Sequence, residues 1–203
     1  ALADAEVEYK DHTSNTIYAS FKIKKTEKDF LKDGHIIIWT TTPWTIPANR
    51  ALVYGSKIKY SVIKIGKDTK YFQNKKIIVA TELIKTVSEE CNFKDFTVLK
   101  EFNGNDFKNT ICQHPFINLG YDYDVPMLEG DFVTLEQGTG IVHMAPSHGP
   151  DDFNLCMKYG LKAPDTMNDA GIYSEAIPFF SGMHIFKADT IIIEKLSESK
   201  SLL

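Results

Sequence analysis

The sequence predicts a mainly β fold, in the form of a closed or partly closed β-barrel with a few peripheral helices. Short strand-like runs dominate the chain, and Pro, Gly, Asn and Asp separate them. Few segments have a helical pattern, which places the predicted helices around the sheet. With 203 residues and 43% hydrophobic content the chain can bury its own core, so we expect residues 1–203 to form a single domain.

The strand predictions rest on alternation and on β-branched runs. Residues 16–24 alternate in character, with Ile17, Ala19, Phe21 and Ile23 on one face. Residues 35–41 contain the run I-I-I-W, which is typical of a buried strand. Further strands are predicted at residues 60–65, 76–80, 96–102, 132–135 and 140–145.

Three helices are predicted from their ends and their apolar spacing. Residues 81–91 begin with Thr81 as a cap, and residues 188–199 form a terminal helix. Residues 151–159 follow Pro150 and stop at Gly160, an arrangement of Pro and Gly that helices prefer.

Composition limits the possible functions. A formal net charge of −4 argues against a protein held to nucleic acid mainly by its own charge. The three cysteines are far apart, odd in number and without C-x-x-C spacing, which argues against a zinc ribbon and a disulfide framework and favours a reducing compartment, cytoplasmic or organellar. No apolar stretch is long enough to span a membrane, and the opening A-L-A-D indicates a piece of a longer protein.

The first segment with chemical content is W-T-T-T-P-W-T-I-P-A-N at residues 39–49. Thr42 precedes Pro43, so the strand should end there in a turn. Hydroxyl groups and an amide then cluster beside an indole, where they can bind a polar substrate against the apolar wall of Trp44. The alternative, a Thr-rich strand with solvated hydroxyls and Trp44 in the core, stays open at this point.

The second segment is G-T-G-I-V-H-M-A-P-S-H-G-P-D-D-F at residues 138–153. A strand ends near His143, a loop follows, and a helix opens at Asp151 and Asp152. Carboxylates in a first helical turn meet the positive end of the helix dipole, which should keep them ionised and suited to an ammonium group. In the alternative interpretation these aspartates merely cap the helix.

The sequence does not predict a metal site. His143, His148, Asp151 and Asp152 are suitable ligand types, but they do not have the H-E-x-x-H spacing or another two-His helical pattern. No Ser or Cys stands in a G-x-S-x-G context, so nothing points to a covalent acyl-enzyme.

With these residues in view, the chain resembles the editing insertion, called CP1, of bacterial or organellar isoleucyl-tRNA synthetases. The resemblance runs from E-V-E-Y-K-D-H-T-S at residues 6–14, through both segments above, to G-M-H-I-F-K-A at residues 182–188. The valyl and leucyl relatives share the fold, but they have Arg in place of Thr42 and lack a histidine at His143. The resemblance therefore implies the isoleucyl branch of the Ile/Val/Leu-tRNA synthetase type.

The resemblance implies hydrolysis of the ester that links a wrong valine to the 3′-terminal adenosine of tRNA(Ile). Isoleucine would be excluded by pocket size, and His143 is the residue implied in that exclusion. Asp152 is implied as the anchor of the substrate's α-ammonium group. The amino acid and the terminal nucleotide would be held by Thr40, Thr41, Thr42, Trp44, Thr45 and Asn49. No cofactor is implied, and amino-acid activation is not expected because the ATP-binding signatures are absent. The implied partners are the 3′ end of the tRNA and the remaining domains of the parent synthetase, and the chain is expected to be a monomer.

The mechanism and three competing functions remain open at the sequence level. Candidates for ordering the attacking water are Thr41, Thr42, a ribose hydroxyl and backbone amides; His143 could act as a base if its pKa lay near neutrality. The competing functions are a valyl- or leucyl-type editing domain, a metal-dependent hydrolase and a non-catalytic tRNA-positioning barrel. For the last, Lys24, Lys25, Lys75 and Lys76 could form a basic patch, although a solvated face is the preferred interpretation.

Overall fold

A mixed sheet of nine strands forms the framework of the computed structural model, which describes residues 14–67, 69 and 72–203. Residues 6–13, which contribute to the resemblance, lie outside that range. The strands are β1 (Ile17–Lys25), β2 (Gly34–Thr40), β3 (Ala51–Tyr54), β4 (Lys59–Ile65), β5 (Lys76–Ala80), β6 (Phe96–Asn103), β7 (Ile111–Gln113), β8 (Asp124–Glu129) and β9 (Ile141–Met144).

The strands are ordered β6-β4-β5-β2-β1-β7-β8-β3-β9. The β2–β5 and β3–β8 pairs are parallel, and the other pairs are antiparallel. Strands β6 and β9 remain edges, so the sheet is not closed. Its two ends nevertheless approach each other, because the Ala80 N–H donates to the Thr139 carbonyl at 2.8 Å and the Tyr60 hydroxyl donates to the Gly140 carbonyl at 2.8 Å. Of the two predicted forms, the partly closed barrel is confirmed.

Three α-helices lie around the sheet in the described part of the chain: α1 (Ile84–Glu90), α2 (Pro150–Lys158) and α3 (Ile185–Glu198). Helix α2 begins at Pro150 and is followed by Gly160, which has a φ of +71° in the left-handed region that favours glycine. Helix α3 buries Ala188, Ile192 and Leu196, and after it the Leu203 N–H donates to the Tyr18 carbonyl of β1 at 3.0 Å. No helix among the described residues is long and apolar enough to cross a membrane.

Most of the predicted strands are confirmed within one or two residues, but two local predictions are wrong. The strand predicted at residues 132–135 is a turn-rich loop, and Phe132 in it is exposed. The predicted cap Thr81 starts a short 3-10 helix, and its hydroxyl bonds to the Ser61 hydroxyl at 2.9 Å instead of to a helix amide. Strands β3, β7 and β8 were not predicted.

The core fills the concave side of the sheet. Alternate residues of β1, including Ala19, Phe21 and Ile23, are buried with Ile36, Ile37 and Ile38 of β2 in a large apolar cluster. A smaller cluster, which contains Met144 of β9 and Cys156 of α2, fixes the helix that opens at the paired aspartates. The cysteines Cys91, Cys112 and Cys156 are all free thiols.

Candidate functional site

The two segments singled out in the sequence meet at one corner of the barrel. Strand β2 ends at Thr40, and residues Pro43–Ala48 form a 3-10 helix that leads into β3. Thr42 has a φ of −127° and a ψ of 67°, outside the helical region that the following proline disfavours. Strand β3 pairs with β9 so that Leu52 lies opposite His143, which places the end of the first segment against the second.

A continuous hydrogen-bonded network joins both segments. The hydroxyls of Thr40 and Thr42 lie 3.2 Å apart, and the Thr45 hydroxyl donates to the Thr42 carbonyl at 2.9 Å. The same Thr45 oxygen is 2.7 Å from His143 Nε2, and Asn49 Nδ2 lies 3.0 Å from His143 Nδ1. We call these five residues the threonine–histidine network. Thr41, also predicted for the site, is exposed beside it.

The partners of His143 define its tautomer. The Thr45 hydroxyl gives its proton to the Thr42 carbonyl, so it accepts the proton of His143 Nε2. Asn49 Nδ2 donates to the Ala51 carbonyl at 2.9 Å and to His143 Nδ1, so Nδ1 is the unprotonated nitrogen. Burial lowers the pKa of His143 to about 4, with a smaller contribution from His148. At neutral pH the ring is uncharged and both nitrogens are engaged.

The carboxylate of Asp152 is turned back towards β9. Its Oδ2 accepts from the Ala145 N–H at 2.8 Å, while Oδ1 has no hydrogen-bond partner among the described residues. Burial raises the pKa of Asp152, and the Ala145 hydrogen bond offsets only part of that effect. Burial thus opposes the effect of the helix N-terminus on this carboxyl, and the expectation that Asp152 is ionised stays a prediction.

The alternative interpretation, in which Asp152 caps helix α2, is wrong. The cap of α2 is Gly149, which precedes Pro150, and no side chain caps it. Asp152 instead bonds to a loop amide outside the helix, and Asp151, in the same first turn, is exposed. One carboxylate oxygen thus remains available beside the network, half-buried and next to the end of β9.

An open cleft of 700 Å³ adjoins this corner. Trp44 forms one wall, and its ring meets the ring of His148 edge-on at 5.1 Å. His148 is fixed in turn by the Thr166 hydroxyl, 2.9 Å from its Nε2. The cleft is lined by Trp44, Ala163, Met167 and residues 146–150, 153 and 164–165. Trp44 thus bounds an accessible space, whereas Thr45, Asn49, His143 and Asp152 are not among the residues that line it.

Several contributors were not found from the sequence. Tyr173 donates its hydroxyl to the Trp44 carbonyl, and Tyr123 donates to the Asn49 carbonyl at 2.7 Å. The loop around Pro164 and Met167 supplies the far wall of the cleft. These residues lie in irregular segments without periodicity, so only the three-dimensional contacts identify them.

Three of the four possible metal ligands have other partners, and the fourth, Asp151, is exposed. His143 bonds to Thr45 and Asn49, His148 bonds to Thr166, and Asp152 bonds to Ala145. Within residues 14–67, 69 and 72–203, no three His, Cys, Asp or Glu side chains are grouped as they would be around a metal ion. The expectation of a metal-independent site stays a prediction, to be tested by chelation.

Comparison with curated sequences gives similarity over the entire chain, although no family model matches it. The chain is 60% identical over 203 residues to an isoleucine–tRNA ligase of Pelagibacter ubique, covering 100% of the chain and 22% of that ligase. It is 44% identical to the isoleucine–tRNA ligase of Gluconobacter oxydans, covering 98% of the chain and 21% of the ligase. The chain therefore spans about a fifth of the length of the curated relatives it matches.

Solved structures with the same fold are synthetase editing domains. GlLeuRS-CP1 superimposes with a TM-score of 0.69 at 14% identity, covering 93% of this chain and 98% of that one. The editing domain of the P. falciparum cytosolic leucyl-tRNA synthetase gives a TM-score of 0.67 at 12% identity, with the same coverages. At such low identity the likeness establishes the fold alone, which is that of CP1 editing domains.

Proposed function

We propose that this chain, which is homologous along its whole length to one segment of the isoleucine–tRNA ligases and has the fold of synthetase editing domains, hydrolyses the ester of mischarged Val-tRNA(Ile). The observation that carries the proposal is the threonine–histidine network beside Asp152. It combines an apolar-walled cleft, a rigid neutral imidazole and a carboxylate in one corner.

Size selection explains why an isoleucine–tRNA ligase needs such a site. One methylene separates isoleucine from valine, and a synthetic pocket turns this into only about 10–200-fold discrimination, a figure measured on this enzyme class and not a property of the present structure. A second pocket that admits valine and rejects isoleucine removes the error after transfer. In this proposal His143 limits the pocket, because its hydrogen bonds to Thr45 and Asn49 hold the ring in place.

The substrate ammonium is assigned to Asp152. The Ala145 N–H holds Oδ2, and Oδ1 is available to an incoming cation. Because burial raises the pKa of this carboxyl, a bound ammonium stabilises the ionised form and is itself held in a partly desolvated position. This contact would orient the ester towards the network.

Hydrolysis is assigned to positioning of the substrate and of a water molecule. The ester carbonyl is attacked by water, and the ribose oxygen leaves with a proton, which gives free valine and deacylated tRNA. The Thr45 hydroxyl is committed to the Thr42 carbonyl and the His143 ring is fully engaged, so neither is the favoured base. Candidates for ordering the water are Thr41, Thr42, the ribose hydroxyl and backbone amides.

The same proposal defines the partners. The domain would receive the 3′ end of tRNA(Ile) from the remaining domains of its parent ligase, act as a monomer and require neither cofactor nor metal. The alternative of a tRNA-positioning barrel is tested together with it, because such a barrel would bind tRNA without releasing the amino acid.

Paired deacylation assays test the proposal. Val-tRNA(Ile) and Ile-tRNA(Ile) are each incubated with the chain in excess, and release of labelled amino acid is followed. We expect release of valine and protection of isoleucine. Binding of both without hydrolysis would favour the positioning barrel. The same assay is repeated with mischarged tRNA(Val) and tRNA(Leu), and hydrolysis restricted to those two substrates would favour the related editing specificities.

A further inference from the structure

A second cavity, of 310 Å³, lies on the outer face of the sheet. His35 lines it near the start of β2, whereas Thr40 of the threonine–histidine network ends that strand. At about 3.3 Å per residue the two Cα atoms are roughly 17 Å apart, and their odd separation puts the side chains on opposite faces. The cavity is therefore separate from the site described above. We call it the basic pocket, after Lys22, His35, Lys75 and Lys200.

The sheet register builds one wall of the basic pocket. Lys22 of β1 lies opposite His35 of β2 on one side and opposite Gln113 of β7 on the other. Cross-strand partners project to the same face, so these three side chains form a row across three strands. The face is the outer one, because the neighbouring Phe21 of β1 points into the core.

Two further lysines come from other elements. The Lys75 ammonium lies 4.7 Å from the centre of the Phe72 ring, which meets the His35 ring edge-on at 5.4 Å. Lys200 follows α3 and has a φ of 56°, in the left-handed region that favours glycine. The next residue, Ser201, accepts the Ser20 N–H at 2.8 Å, which holds this end of the chain over the pocket.

Positive charge in the pocket is not balanced by nearby acids. Its lining contains three lysines and His35 but no Asp or Glu, and among the described residues none of the three lysines forms an ion pair. Burial lowers the pKa of Lys75, with Lys200 and Lys22 adding to the effect. In a chain with a net charge of −4, this is a local concentration of positive charge that attracts an anion.

The groups that line the pocket suit a ligand with several oxygen atoms. Three lysine ammonium groups and the Gln113 amide come from separate parts of the chain, and such a ligand can bond to more than one of them at once. His35 contributes to the wall, because its Nδ1 is buried out of reach of solvent.

We propose that the basic pocket binds a phosphate group. A tetrahedral dianion presents several oxygens to donors that converge from β1, β2, the residue before β5 and the end of α3, whereas a carboxylate offers two oxygens and a single charge. Inorganic phosphate and a phosphodiester of RNA share this chemistry. The proposal stands independently of ester hydrolysis, since it concerns another face of the barrel.

Titration with inorganic phosphate, followed by NMR of the histidine rings and by calorimetry, tests the proposal. We expect the His35 resonances to shift on saturation, while those of His184, in the cap of α3, stay unchanged. Lys22→Gln and Lys75→Gln should each weaken phosphate binding about tenfold. Lys25→Gln is the matched control, because it removes an exposed charge from the same strand outside the pocket.

Lys200→Gly separates binding from folding. Glycine relieves the left-handed backbone at this position, so thermal stability should be unchanged or higher while phosphate binding falls by about the same tenfold. The proposal is overturned if Lys25→Gln weakens binding as much as the pocket variants do, or if none of the pocket variants weakens it.

A second experiment distinguishes an RNA phosphodiester from free phosphate as the ligand. Binding of tRNA is measured at several salt concentrations, and loss of one phosphate contact lowers the slope of log affinity against log salt by about 0.7–0.9. A smaller slope in Lys22→Gln and Lys200→Gly, but not in Lys25→Gln, assigns the pocket to an RNA phosphodiester. Unchanged slopes together with weakened inorganic phosphate binding assign it to free phosphate.

Discussion

Replacing His143 by alanine should convert a selective hydrolase into one that accepts isoleucine. The imidazole is held by Thr45 and Asn49, so it cannot turn aside for a larger substrate. Forcing an extra methylene into a packed site costs about 1–3 kcal/mol. Removing the ring removes this cost, so the rate on Ile-tRNA(Ile) relative to Val-tRNA(Ile) should rise about 5- to 150-fold.

The structure also bounds the damage to folding. Two hydrogen bonds of about 0.5–1.5 kcal/mol each are lost, but Thr45 retains the Thr42 carbonyl and Asn49 Nδ2 retains the Ala51 carbonyl. The variant should therefore remain folded, which a thermal melt verifies. Its activity on Val-tRNA(Ile) should fall less than that of Asp152→Ala.

A matched variant separates steric exclusion from base catalysis. His143→Gln keeps much of the bulk and the hydrogen-bonding capacity but has no imidazole. Exclusion by size predicts that this variant still protects Ile-tRNA(Ile) and hydrolyses Val-tRNA(Ile), whereas a base predicts that hydrolysis of both is lost in either variant. Because burial lowers the pKa of His143 to about 4, titration of this ring should not change the wild-type rate near pH 6.5. Continued protection of isoleucine in His143→Ala would refute the steric role.

Three further predictions concern Asp152, metal and the barrel corner. Asp152→Ala should reduce Val-tRNA deacylation about ten- to a hundredfold. Because burial raises the pKa of this carboxyl, the wild-type rate should begin to fall with decreasing pH at a pH above the usual range of an Asp pKa. If the rate of Asp152→Asn falls with decreasing pH in the same way, the assignment is contradicted. Exhaustive chelation should leave the rate unchanged, and recovery of a lost rate with added zinc would contradict that. Gly140→Ala should lower the unfolding free energy by about 1–3 kcal/mol more than Gly160→Ala in urea melts, because both have a φ of 71° but only at Gly140 would a Cβ lie 2.5 Å from Ala80.

The parts of the fold that could be predicted are those whose local pattern and tertiary role agree. The predicted core face of β1 (Ile17, Ala19, Phe21 and Ile23) is buried, although Tyr18 and Ser20 of the other face are buried as well, and β2 carries three consecutive isoleucines that are fully buried. Helix α2 has Pro at its start and a left-handed Gly160 after its end, so its bounds follow from backbone preference alone. In these elements the sequence pattern and the observed burial coincide.

The missed strands depend on pairing more than on pattern. Strand β7 has only three residues, and β8 contains Pro126, which argues against a strand from sequence. Strand β3 is fully buried between β8 and β9, so it lacks the alternation that identifies a half-exposed strand. Conversely, residues 132–135 are apolar enough to suggest a strand, yet no neighbouring strand pairs with them.

The candidate site was predictable as two segments but not as a network. Local rules place Thr42 at a strand end and Asp152 in a first helical turn, and both positions are confirmed. The raised pKa of Asp152 was not predicted, because an argument from the helix dipole ignores the burial of the carboxyl beside Ala145. Burial depends on the packing of distant elements, which no local pattern contains.

The orientation of His143 connects the missed strand to the proposed selectivity. Asn49 is fully buried two residues before β3, and its amide donates to the carbonyl of Ala51 at the start of that strand. The antiparallel pairing of β3 with β9 brings the same amide to His143 Nδ1, which leaves the proton on Nε2 and directs it to Thr45. A steric limit is useful only if the blocking group is rigid, and here part of that rigidity comes from the sheet register, through Asn49. Asn49→Ala should therefore loosen the exclusion of isoleucine with the imidazole still present, whereas unchanged protection in that variant would mean that Thr45 alone fixes the ring.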